Sequence, residues 1–98
     1  MKEKEIQKQI IEWLGWKKIF HFRNNTGSFT NSAGGFYRFG AVGSPDIICV
    51  VDGQFVGIEV KGYGGKQSPA QKEFQVNLML AGGKYILAFN LEDVIKEI

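Results

Sequence analysis

The chain has one cysteine, one histidine and no long apolar run, and each scarcity removes a class of protein. Cys49 has no partner for an internal disulfide. It lies in the apolar run IICVV, where a lone thiol reads as a small core residue. One Cys and the distant His21 do not make a zinc site. No apolar stretch approaches the roughly 20 residues of a membrane helix. The opening MKEKEIQKQI alternates charged with apolar residues, where a signal peptide needs an unbroken apolar core. These absences lead us to expect a soluble, cytoplasmic protein without a membrane partner. Internal repeats are lacking as well, and residues 1–98 read as a single domain, near the common size for one hydrophobic core.

What is present is globular in character, with 44% hydrophobic and 13% aromatic residues arguing against disorder. The net charge is only +2, but it is unevenly placed. Residues 1–15 are balanced and residues 91–98 are acidic. Residues 16–90 carry eight basic side chains against four acidic ones. A polyanionic partner meeting the middle of the chain is plausible on that distribution.

Apolar residues at helical spacing (Ile6, Ile10, Trp13, Leu14) predict a helix over 3–14, with Gly15 at its end. KIFHFR, residues 18–23, predicts a strand. Residues 24–44, rich in Gly, Asn and Ser, predict a long loop or weak hairpin of the kind that often serves function. Strands are expected at 46–51 and 55–61 around Asp52-Gly53, a strong two-residue turn signal. Ser68-Pro69-Ala70-Gln71 opens a second helix with a capping box, and Gly82-Gly83 ends it. KYILAF at 84–89 predicts a strand, and Asn90 caps a short last helix. The expected fold is α/β, in the order α-β-β-β-α-β-α. Strand 55–61 and strand 84–89 should run parallel through a βαβ crossover, giving a mixed central sheet flanked by helices.

The stretch GSPDIICVVDGQFVGIEVKGYG, from Gly43 to Gly64, holds the chemistry. A turn on Asp52-Gly53 opposes Val51 to Gln54, Cys49 to Val56 and Asp46 to Glu59. Alternation then puts Glu59 and Lys61 on one face and Val56, Ile58 and Val60 on the other. Two carboxylates at opposed positions repel. One reading is a structural ion pair with Lys61. The other is a divalent cation, since Mg²⁺ is commonly held by one or two carboxylates plus water and phosphate oxygens. A cation there activates water and neutralises charge on a phosphate, with Lys61 beside the attacking water.

Pro45-Asp46, twelve intervening residues and Glu59-Val60-Lys61 resemble the PD-(D/E)XK nuclease motif. The element order resembles that superfamily's restriction-endonuclease-like core. The chain is closer to its VRR-NUC (virus-type replication-repair nuclease) branch. The supporting residues are Gly40-Ala41-Val42-Gly43-Ser44-Pro45-Asp46, Ile58-Glu59-Val60-Lys61, Ser68-Pro69-Ala70-Gln71 and the opening EKEIQ from Glu3 to Gln7. The resemblance covers nearly the whole chain. It implies a Mg²⁺- or Mn²⁺-dependent DNA endonuclease with Asp46 and Glu59 as metal ligands, joined by the Val60 carbonyl. Lys61 is then the catalytic lysine. A glutamate of the first helix would assist the metal, Glu3 being favoured over Glu5 by its side of the helix. Gln71 would approach the metal-bound water or the scissile phosphate, although the capping box alone also accounts for it. Short members of the family resemble Holliday junction resolvases and act as homodimers, which implies selectivity for branched DNA such as four-way junctions.

Arg23, Arg38, Lys66 and Lys72 are candidates for phosphate contacts, and Tyr63 for contact with substrate. His21 reads as structural, and Trp13 and Trp16 as core or subunit-interface residues. Three other readings stay open. One is a catalytically silent nucleic-acid-binding module of the same fold. Another is a less selective nuclease that needs a partner, and the last is a small interaction domain built around an ion pair.

Overall fold

The computed structural model describes residues 1–24, 27–30, 33–34, 36–39 and 41–98, and the side chains of 27–30 and 36–39 lie outside that description. The elements are α1 (Glu3–Trp16), β1 (Phe20–Arg23), β2 (Gly27–Thr30), β3 (Phe36–Phe39), β4 (Ile47–Val51), β5 (Gln54–Val60), α2 (Pro69–Leu80), β6 (Lys84–Ala88) and α3 (Leu91–Ile95). Four strands form a mixed sheet in the order β1-β4-β5-β6, antiparallel except for the β5–β6 pair. The expected order therefore gains two strands. The stretch expected as a loop or weak hairpin carries β2 and β3, an antiparallel pair in a sheet of its own. No helix among the described residues is long and apolar enough to cross a membrane.

Local signals account for most boundaries. Asp52 and Gly53 both take positive φ, 50° and 79°, which a two-residue primed turn requires. The opposed pairs Val51↔Gln54 and Cys49↔Val56 follow from it. The ladder runs as far as Ile47↔Ile58, so Asp46 stands one residue before β4 and Lys61 one residue after β5, rather than within strands. Both capping-box bonds of α2 are made. The Ser68 hydroxyl accepts Gln71 N–H, and Gln71 Oε1 accepts Ser68 N–H at 2.8 Å. At the other end of α2, Gly83 N–H reaches the Leu78 carbonyl past a left-handed Gly82. Asn90 caps α3 by accepting Asp93 N–H.

Helix α1 ends two residues later than its apolar spacing predicts. Lys18 takes the left-handed position at φ 59°, and Ile19 N–H bonds the Leu14 carbonyl in a Schellman closure. Trp16 is carried into solvent by that extension, whereas Trp13 packs against the core. The Lys17 ammonium lies 5.9 Å from the centroid of each indole.

Alternation sorts the sheet into two faces. Val56, Ile58 and Val60 of β5 join Ile6, Ile10 and Leu14 of α1 in the buried core. Helix α3 adds Val94, and Cys49 lies in the same core, where burial pushes its thiol up to about 11. His21 faces this side, with Nδ1 2.8 Å from the Ile19 carbonyl. The opposite face carries Gly57, Glu59 and Lys61, and α2 lies over it. A Cβ on Gly57 would come 2.5 Å from Pro45 Cγ and 3.4 Å from Leu78 Cδ2. Only glycine lets the Pro45 loop and α2 sit that close to β5.

Candidate active site

Asp46 and Glu59 come together where β4 begins and β5 ends. Asp46 Oδ2 accepts the Val60 N–H at 2.8 Å, extending the β4–β5 pairing with a side chain in place of a backbone carbonyl. That bond fixes the Asp46 carboxylate against the backbone next to Glu59. Glu59 is 2% exposed, and its Oε1 is a buried oxygen without a hydrogen-bond partner. Its Oε2 lies 3.9 Å from Lys61 Nζ, the outer limit of an ion pair. The Glu59 carboxyl is raised to about 8, first by burial and then by the Asp46 carboxyl beside it, through hydrogen bonding and charge. The Lys61 charge works in the opposite direction and does not compensate. A buried carboxylate oxygen beside a second carboxylate is costly unless a proton or a cation lies between the two acids, and ion pairing with Lys61 alone does not supply either.

The loop before Asp46 is anchored from two sides. Asn24, the residue after β1, donates through Nδ2 to Ser44 Oγ at 2.8 Å and to the Pro45 carbonyl at 3.0 Å, and its own N–H bonds the Asp46 carbonyl at 2.8 Å. On the other side Gly43, at φ +79°, lies against the first turn of α2. A Cβ there would fall 2.3 Å from the Ala70 carbonyl oxygen. Sequence reasoning passed over Asn24 because one asparagine in a polar stretch carries no signal of its own.

The remaining expected residues divide by position. The start of α1 packs on Gly62, since a Cβ there would lie 3.7 Å from Glu3 N and from the Met1 carbonyl. Glu3, rather than Glu5, adds its negative charge to those acting on Glu59. Still, among the described residues no group of three His, Cys, Asp or Glu side chains converges as a metal cage. Gln71 sits in the first turn of α2 beside the Gly43 loop, with Oε1 committed to the cap and Nε2 left over. Tyr63 is fully exposed between Gly62 and Gly64, two residues beyond Lys61. Lys66 and Lys72 are exposed, in the loop before α2 and on its first turn. Arg23 is not brought to the site. It lies on the α1 face of the sheet, where Nη1 donates to Gln7 Oε1 at 3.2 Å. Arg38 falls in β3 with its side chain outside the described residues, as does Gly40 of the glycine-flanked motif.

Tyr85 of β6 is opposite Gly57 on the Glu59 face, with its hydroxyl 3.2 Å from the donating Gln67 Nε2. Burial raises its phenol, the Gln67 bond lowers it, and the Glu59 and Asp46 charges raise it, which places it within electrostatic reach of the carboxylates. The same Gln67 amide also donates to Gln75 on α2, tying that helix to β6.

No family model, no curated protein and no solved structure matches this chain.

Proposed function

We propose that the chain is a metal-dependent phosphodiesterase of restriction-endonuclease-like fold that cleaves DNA. The observation that carries this reading is Glu59 Oε1, a fully buried carboxylate oxygen without a partner, beside the Asp46 carboxylate. A divalent cation satisfies that oxygen and removes the repulsion between the two acids, and Mg²⁺ or Mn²⁺ suits an all-oxygen set. Asp46 and Glu59 would hold it, with the Val60 carbonyl adjoining. Two carboxylates suffice for Mg²⁺ when water and phosphate oxygens fill the other positions, so the lack of a third converging acid among the described residues is compatible with the assignment. When bound, the metal would lower the pKa of a coordinated water and offset charge on the phosphate.

The chain's own groups supply the rest. Lys61 presents an ammonium beside Glu59, mostly shielded from solvent, to stabilise negative charge growing on the phosphate oxygens. Asn24 and Gly43 hold the loop that carries Asp46. Gln71 Nε2 and the exposed Lys66 and Lys72 face substrate, and Tyr63 stands at the rim. The motif's resemblance to VRR-NUC nucleases supports DNA as substrate, branched DNA as the preferred form and a homodimer as the working unit.

A second reading, a nucleic-acid-binding module without cleavage, draws on two hydrogen bonds. The Gln71 oxygen is committed to the helix cap, and Asp46 Oδ2 to Val60 N–H. Cleavage of a four-way junction beside a linear duplex, with Mg²⁺ or Mn²⁺ and with Lys61→Ala as control, separates the readings. Metal-dependent junction cutting that is lost in the variant supports the structure-selective nuclease. Cutting of both substrates retains the nuclease and removes the selectivity. Binding without cutting leaves the module.

A further inference from the structure

The half of the sheet beside the carboxylates is left open by α2. Side chains of β1 alternate, so His21 and Arg23 turn toward α1 while Phe20, Phe22 and Asn24 share the face of Asp46 and Glu59. Asn24 is level with Asp46, to which its backbone bonds, and Phe22 and Phe20 follow it down the edge strand, opposite Ile48 and Val50. Phe20 is 68% exposed and Phe22 45%, and Val50 and Phe55 beside them are also open. The two rings meet edge to face with centroids 6.2 Å apart.

We propose that Phe20 and Phe22 form a stacking platform for unpaired bases of a DNA strand whose backbone passes Asp46 and Glu59. The proposal rests on the phosphodiesterase reading for the route of the strand, though not for its binding. Three observations converge on it. First, the rings lie on the same face as the carboxylates and in line with them. Tyr63 lies beyond Lys61, so exposed aromatic side chains flank the acids from both directions. Second, the patch is small among the described residues. Four partly open side chains offer on the order of a few hundred Å², about half of what a stable dimer buries per partner, roughly 800 Å². Third, the rings meet edge to face, at 68° and 6.2 Å between centroids, rather than stacking on each other. At least one π-face of each ring is therefore left uncovered by the other, and every base can use such a face.

Charge at the far end of this track is balanced. Lys18 lies two residues before Phe20, and Asp52 lies at the β4–β5 turn, at the same end of the sheet. The platform's contribution therefore comes from stacking rather than from phosphate contacts, and it should be nearly insensitive to salt.

The test is fluorescence anisotropy of labelled oligothymidylate and of a blunt duplex of equal length, in EDTA so that neither is cut. Wild type should bind the single strand more tightly than the duplex. Phe20→Leu/Phe22→Leu should weaken the single strand about tenfold or more, at low and high salt alike, and leave the duplex unchanged. Phe20→Tyr/Phe22→Tyr, which keeps the rings, should retain binding, and melting curves check that both variants fold. Equal single-strand affinity in wild type and the leucine variant would overturn the platform. So would conversion of a dimer to a monomer by that variant, seen in sedimentation, with single-strand binding intact. Ring-dependent binding in a protein that cuts nothing leaves the platform standing and removes the nuclease. Cutting without ring dependence does the reverse.

Discussion

Asp46 Oδ2 accepts the N–H of Val60 at 2.8 Å, so the carboxylate that leads the motif also closes the end of the β4–β5 ladder. Its two roles can be separated by substitution. Asp46→Asn keeps an oxygen for the Val60 N–H and should fold with little loss, while any stabilisation by Mg²⁺ or Mn²⁺ disappears. Asp46→Ala strands that N–H and should cost about 1–3 kcal/mol in addition. Thermal melts of both variants, with and without metal, provide the comparison. Equal metal-induced shifts in wild type and Asp46→Asn would remove Asp46 from the metal site.

The raised Glu59 carboxyl ties stability to pH. Glu59 holds its proton more tightly in the folded chain, at about 8 against an ordinary 4.5. Its stabilising contribution is therefore complete below about 4.5 and is lost as pH rises through about 8. In EDTA the melting temperature should fall across that interval, and Glu59→Gln should flatten the fall. Mg²⁺ or Mn²⁺ should restore stability most at the alkaline end in wild type and do nothing for Glu59→Gln. A wild-type melting temperature that is level across this range would show that Glu59 ionises without penalty.

Gly57 is required by the Pro45 ring. Gly57→Ala places a methyl 2.5 Å from Pro45 Cγ and 3.4 Å from Leu78 Cδ2. The Pro45-Asp46 loop must then lift from β5, at a cost of roughly 1–3 kcal/mol, and under the proposed function metal-dependent cleavage should drop more than the melt alone accounts for. A variant with a lowered melting temperature but unchanged metal affinity would limit Gly57 to packing.

Lys18 closes α1 in a conformation that suits glycine better. At φ 59° its side chain carries a cost of roughly 1 kcal/mol, so Lys18→Gly should raise the melting temperature by a few degrees. Lys18 is exposed and precedes the end of β1 remote from Asp46, so under the proposed function cleavage at saturating metal should be unaffected. Denaturant unfolding of the two proteins measures the difference directly.

The local features of this chain were legible in its sequence because each depends on neighbours a few residues apart. Asp52-Gly53 sets the hairpin register through its own φ angles, and Ser68 with Gln71 starts α2 through bonds that span three residues. Alternation then assigns Glu59 to one face and Ile58 to the other without reference to anything distant. Even locally, a lysine in place of glycine after Trp16 hid the true end of α1. The hairpin of β2 and β3 was legible only as an alternative to a loop, because its composition is shared with loops.

Only the tertiary structure decided what the charged residues meet. Glu59 Oε1 is buried without a partner on the face of β5 where the Pro45 loop and α2 come close, an approach that Gly57 and Gly43 permit by contacts across unrelated segments. That Arg23 turns away from the acids, that Glu3 acts on Glu59, and that Asn24 holds the Asp46 loop all follow from which face packs on which helix. A linear sequence encodes periodicity and turn chemistry within a few residues. The burial of a charge is set by surfaces that become neighbours only when the sheet is assembled.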